Sequence, residues 1–311
     1  FPELLGSLGN PGTVPGIYFR NKEKIIYSGD RPLPDFASQP FPRRDFIDMA
    51  PYLKQMPGIG LQTKRGCPNR CVYCNYPVLN GRTWRIRTPE SICDEIEYLN
   101  REFNVKKIAF TDSVFNAPKD HAEAIFREII KRKIDIQWRA NMDIRNITKD
   151  FMTLARKAGC ISMIFSPDAF SQQALDGLQK GYTEKEVKDV FRLFTTEKDF
   201  KSLDVIFCFF YTPPGETLGG FFKTILFYIK ARILFPEKNV FYGSWIHLEP
   251  YTKAYDIALE QGDINKDTQL LTEDKTLYEN ISYKHPTLDR LGRMIWKQSD
   301  LEDEPVLGDD S

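Results

Sequence analysis

Only three histidines occur in 311 residues, His121, His247 and His285, and they are scattered along the chain. Cysteine is nearly as scarce, with six in all. Six is sparse for the disulfide framework of a stapled secreted scaffold. Nor is there a second ligand pair of the kind a closed structural zinc site uses. Net charge is missing as well: 43 Lys and Arg balance 43 Asp and Glu, which argues for neither nucleic acid nor an anionic membrane surface as partner. No run of 18 or more apolar residues is present, and FFKTILFYIKARILF, interrupted by Lys223, Lys230 and Arg232, reads as a buried helix. No secretory signal pattern is seen, and a cytoplasmic setting is expected. The first residue is Phe1 rather than methionine, which suggests a truncated chain.

Three of the six cysteines fall within eight residues, Cys67, Cys71 and Cys74 in GCPNRCVYCNYP, spaced C-x3-C-x2-C. A closed zinc site wants four ligands, as does a fully protein-ligated iron–sulfur cluster. Three thiolates on a cubane cluster leave one iron without a protein ligand, open to a small molecule. A zinc ion completed by a distant ligand and disulfide bonding are the competing readings. Cys93, Cys160 and Cys208 stand in apolar or helical contexts and read as buried thiols.

From Ile59 onward, apolar runs of strand length alternate with amphipathic helical stretches. Strands are expected at 59–64, 106–111, 134–140, 161–166, 203–211 and 239–248. Helices are expected near 88–103, 118–133, 148–159, 171–178, 183–197, 215–234 and 253–262. Thr88-Pro89-Glu90 carries a cap, a proline at the first helical position and an acidic first turn. Parallel strands joined by helices put chemistry at the strands' C-terminal ends, and the cysteine loop leaves the first strand there.

The cysteine motif, with an aromatic (Tyr73) before its last member, resembles the signature of the radical S-adenosylmethionine (SAM) superfamily, in the branch associated with cobalamin-binding domains. The resemblance implies an α/β fold, a partial (β/α)6 TIM-like barrel. It implies a [4Fe–4S] cluster on Cys67, Cys71 and Cys74 whose open iron binds SAM. Reductive cleavage then yields a 5′-deoxyadenosyl radical that abstracts substrate hydrogen. By the same resemblance Tyr73 contacts adenine, and Asp112 at the second strand's end accepts from the methionine amine. Arg139 or Asn141, after the third strand, contacts the carboxylate. Ser166 and Asp168, after the fourth, contact the ribose. Thr212–Thr217 resembles a family turn, with Glu216 read as a helix start. His247 and Glu249 at the sixth strand's end, and Tyr211 at the fifth's, are candidates for proton transfer or substrate contact.

The flanks extend the resemblance. Residues 1–52, with a helix-like start, a two-strand hairpin and a proline-rich connector, resemble the end of a cobalamin-binding domain and its linker. Residues 53–263 form the core, and 264–311 a C-terminal extension. That extension is expected to be helical to 298, with Met294 and Trp296 packed on the barrel and an acidic, disordered tail. The expected activity is SAM cleavage and hydrogen abstraction on a small-molecule substrate, serving methyl transfer or ring modification. Cobalamin is expected in the full-length protein, and a flavodoxin or ferredoxin as electron donor. The alternatives are a radical methylthiotransferase acting on RNA or protein, which calls for a second cluster-binding domain, and a non-enzymatic zinc- or cluster-stabilised binding module.

Overall fold

A computed structural model describes residues 2–54, 58–234, 241–271 and 281–295. The chain divides into two compact units, 1–35 and 36–311. The first holds helix α1 (Pro2–Gly6) and a hairpin of strands β1 (Tyr18–Asn21) and β2 (Lys24–Tyr27). A stacked Tyr18–Tyr27 pair crosses the hairpin at 4.6 Å between ring centres.

The second unit begins with a connector that buries Phe36, Arg44 and Met49, followed by the exposed helix α2 (Ala50–Lys54). Strand β3 (Ile59–Leu61) follows, then the two-residue strands β4 (Lys64–Arg65) and β5 (Arg85–Ile86), paired antiparallel around helix α3 (Tyr76–Asn80). Helix α4 (Pro89–Phe103) leads to β6 (Lys107–Phe110), α5 (Lys119–Arg132) to β7 (Gln137–Met142), and α6 (Lys149–Lys157) to β8 (Cys160–Asp168). Helices α7 (Gln172–Gly177) and α8 (Glu184–Thr196) precede β9 (Asp204–Phe210), and α9 (Leu218–Leu234) precedes β10 (Phe241–Ser244). Helices α10 (Lys253–Gln261) and α11 (Asp289–Ile295) complete the elements. The six long-range strands form one wholly parallel sheet in the order β10-β9-β8-β7-β6-β3, the partial (β/α)6 barrel expected.

Strand alternation splits the side chains between two environments. Trp138 points outward, stacks on Phe126 at 5.2 Å and donates its indole N–H to Ala158 O at 2.8 Å. Phe165 and Phe207 likewise face helices, meeting Phe194 and Phe191. The intervening residues Arg139, Asn141, Ser162 and Ser166 face the lumen. After α6 the chain turns at Gly159, with φ of +95° and a Cβ position only 1.9 Å from Ile136 O, so only glycine fits.

Two expectations change. The helix read as buried is buried on one face: Phe221, Thr224, Phe227 and Ala231 pack inward, while Phe222, Leu226, Ile229 and Ile233 lie in solvent. An outer helix of a barrel meets the sheet along one stripe only, whatever its overall hydrophobicity. Beyond residue 263, helix is confined to Asp289–Ile295 among the described residues. Residues 281–283 instead bond strand-like to 246–248, with Leu248 N–H on Ile281 O and Tyr283 N–H on Ile246 O, both at 2.8 Å. Met294 is exposed rather than packed, and Trp296 and the acidic tail lie outside the described residues.

The connector is fixed through Glu95 on α4, which pairs with Arg44 at 2.8 Å and Arg87 at 2.6 Å. The same two guanidinium groups donate to Gly60 O and Gln62 O, holding the chain where β3 gives way to the cysteine loop. Removing one partner of such a buried group leaves uncompensated charge. Glu95→Ala should therefore destabilise the protein by about 3–5 kcal/mol in anaerobic urea unfolding; a loss below about 1 kcal/mol would show that the ion cluster does not anchor the loop.

Candidate active site

The chain leaves β3 under the control of one buried carboxylate. Asp112 accepts from Thr63 N–H at 2.8 Å, Lys64 N–H at 3.1 Å and Lys64 Nζ at 3.2 Å, and from the Thr63 hydroxyl. Its side chain is fully buried, so every oxygen is committed to the loop and none faces a ligand. Its place as an amine acceptor is not supported; the neighbouring Ser113 lines the cavity instead.

The cysteine loop itself is almost without regular structure and is bonded to its surroundings. Cys67 N–H donates to Gly81 O at 3.0 Å. The buried Val72 gives its N–H to Leu178 O at 3.2 Å and takes Ala254 N–H on its carbonyl at 2.9 Å, joining the loop to segments after β8 and β10. Asn75 Nδ2 donates to Glu249 Oε2 at 3.1 Å. Cys67, Cys71 and Cys74 are all free thiols and border a single cavity of about 220 Å³, with Asn141, Ser166 and Lys180 among its walls.

Behind the loop, Asp168 receives a hydrogen bond from the Tyr73 hydroxyl and another, at 2.6 Å, from Lys180 Nζ. Lys180 also reaches the Tyr73 oxygen at 3.2 Å and lies over the Tyr73 and Tyr182 rings. A register shift in β8 between Phe165 and Asp168, with Asp168 at φ +65°, turns the carboxylate toward this pair. Burial pulls the Lys180 ammonium down, but Asp168, the surrounding tyrosines and Cys71 outweigh it, so it is held well above the usual lysine value. The cavity wall thus carries a buried lysine paired with Asp168. Sequence reasoning missed Lys180, whose sole trace is a separation of twelve residues from Asp168 that no periodicity interprets.

The remaining expectations divide by place. Asn141 and Ser166 border the cavity, whereas Arg139 does not; it sits two residues down β7, where burial lowers its basicity and Asp204 restores part of it. Tyr73 also borders the cavity, and its hydroxyl is bonded to Asp168, which does not. His247 Nδ1 and Glu249 Oε1 are 3.2 Å apart and 41% exposed each, outside the cavity but tied to the loop through Asn75. Tyr211 packs over Gly243 and edge-on to Trp245 at 5.1 Å, away from the thiols. Glu216 is a local support, accepting from Ser171 at 2.7 Å and Thr217 N–H at 3.0 Å.

Burial pushes the Cys71 and Cys74 thiols up, with Lys180 opposing it for both. Such thiols lose their protons when a metal replaces them. Among the described residues no three His, Cys, Asp or Glu side chains gather closely enough for one metal ion. Three thiols around one cavity are the donor set that a cluster with one open iron uses. The buried Tyr76 hydroxyl in that wall has no hydrogen-bond partner of good geometry, leaving a polar atom for a ligand. Cys93 and the half-buried Cys208, by contrast, are pushed up to about 12 by burial, and the buried Cys160 is raised in the same way.

Comparison with known proteins agrees with this geometry. The chain is 26% identical over 309 residues to an uncharacterized methyltransferase of Pyrococcus horikoshii, covering 96% of this chain and 63% of that protein. It thus spans less than two thirds of the relative's length. The fold resembles the radical SAM methyltransferase TsrM from Kitasatospora setae, with TM-score 0.66 and 22% identity over 82% of this chain and 52% of TsrM. It also resembles the cobalamin-dependent SAM radical enzyme OxsB, with TM-score 0.67 and 15% identity over 94% and 48%. Residues 61–227, from β3 into α9, match the radical SAM superfamily, and it is to this family of [4Fe–4S]- and SAM-dependent enzymes that the chain belongs.

Proposed function

We propose that this chain is the catalytic core of a cobalamin-dependent radical SAM methyltransferase acting on a small molecule. The observation that carries the reading is the extent of the likeness: the methyltransferase of P. horikoshii matches 96% of the chain, through the N-terminal hairpin as well as the barrel. On this reading residues 1–52 are the end of a cobalamin-binding domain and its linker, with Phe36, Arg44 and Met49 of the connector already buried. Residues 53–263 are the radical SAM core.

Cys67, Cys71 and Cys74 would hold the cluster. Bound there, the cluster would supply one electron to the sulfonium of SAM, and cobalamin in the full-length protein would supply the methyl group. The chain's own residues do the placing. Lys180, a buried cation in the wall, is the counter-charge for the SAM carboxylate, and Asp168 and Tyr73 fix its position. Asn141 and Ser166 offer an amide and a hydroxyl to the nucleotide. His247 and Glu249, half exposed and bonded to each other, are placed to move a substrate proton. A flavodoxin- or ferredoxin-type protein would deliver the electron.

Anaerobic reconstitution with iron and sulfide, reduction, and assay of 5′-deoxyadenosine and methylated product with and without cobalamin test the reading. Zinc without acid-labile sulfide would overturn it. Cys71→Ala should lose nearly all cluster iron and all SAM cleavage; retention of a full complement would remove Cys71 from the ligand set. Lys180→Met should keep most of the iron while weakening SAM binding by about tenfold to a hundredfold, the worth of one hydrogen bond to a charged group. Unchanged affinity in an equilibrium binding experiment would place the carboxylate elsewhere.

A further inference from the structure

Outside the active site, the least expected surface is the solvent face of α9. Leu218, Phe222, Leu226, Ile229 and Ile233 are all exposed, Leu226 at 66% and Ile233 at 72%. At 3.6 residues per turn these five lie within an arc of about 80° and run about 22 Å along the helix. The stripe carries no side-chain hydrogen-bonding atom. Lys230 and Lys223 flank one edge and Arg232 the other, and α9 contains no acidic residue. The nearest acids, Glu184 and Asp189 on α8, are already paired, Glu184 with Lys188 and Lys223 and Asp189 with Lys185 and Arg192.

We propose that α9 docks this protein on an anionic membrane surface, its aliphatic stripe entering the headgroup boundary and its flanking cations meeting lipid phosphates. An apolar arc with lysine and arginine along both margins is what an interfacial helix requires, since their long stems let the charges rise to the headgroups. The helix is not long and apolar enough to cross a membrane. The same charge pattern disfavours a second copy as occupant, because two such helices would set like charges against one another. The cationic margins, with no acid of α9 to offset them, favour an anionic surface over a neutral one. Balanced composition hides this feature: the chain is neutral as a whole, but this helix has three cations and no anion.

The test is cosedimentation of the anaerobically purified protein with vesicles of phosphatidylcholine, alone or with one third phosphatidylglycerol. Wild-type protein should bind the anionic vesicles, bind the neutral ones far less, and dissociate at high salt. Leu226→Glu with Ile229→Glu should abolish binding with an unchanged circular dichroism spectrum, because both residues are already in water. Lys230→Gln with Arg232→Gln should weaken binding on the order of thirtyfold, as expected for two cations near a charged bilayer. Failure of the wild type to bind, or equal binding by the double glutamate variant, would overturn the proposal. So would a solution dimer that the glutamate variant dissociates, which would make the stripe a self-association surface.

Discussion

The arrangement of the three thiols depends on hydrogen bonds made by residues outside the loop that carries them. Between β4 and α3 the backbone has no strand or helix of its own to hold it. Its shape is imposed at Val72, which is bonded on one side to Leu178 and on the other to Ala254, and at the loop's entry by Asp112. Segments remote in sequence thus meet at one loop. A loop held at so many points loses little further freedom when a cofactor binds, which is how preorganisation turns binding groups into affinity.

The same economy explains the polar residues around the site. Asp112, Asp168 and Glu95 are buried acids, each satisfied by at least two donors: Asp112 by the adjacent Thr63 and Lys64, the other two by residues remote from each other in the chain. Buried carboxylates are costly unless so paired, and here each fixes one stretch of chain. Asp112 sets the exit from β3, Asp168 sets Tyr73 and Lys180, and Glu95 sets the connector.

Much of this architecture was legible because alternation of apolar runs is a local signal. All six barrel strands and the helices between them lie where periodicity puts them, and the cysteine spacing marks the site. The misplacements have local causes. The third strand starts at Gln137 rather than Ile134 because Ile134 N–H still caps α5 by bonding Ile129 O. The first strand stops at Leu61 because Asp112, and not a neighbouring strand, takes the next amides. Lys180 was illegible because its role arises from a bulge and a left-handed residue that no pattern announces. The solvent face of α9 was hidden for the opposite reason, since an apolar sequence specifies affinity for something apolar without saying whether that is the core.

Six strands rather than eight leave β3 and β10 as the ends of an open sheet. A closed eight-stranded barrel plugs its centre with its own side chains. Here Gly60, Gln137, Asn141 and Ser166 turn inward along neighbouring strands and stay exposed, so the interior is a trough. Residues along the trough's flanks can be exchanged to suit a new guest while the metal-bearing end is left alone.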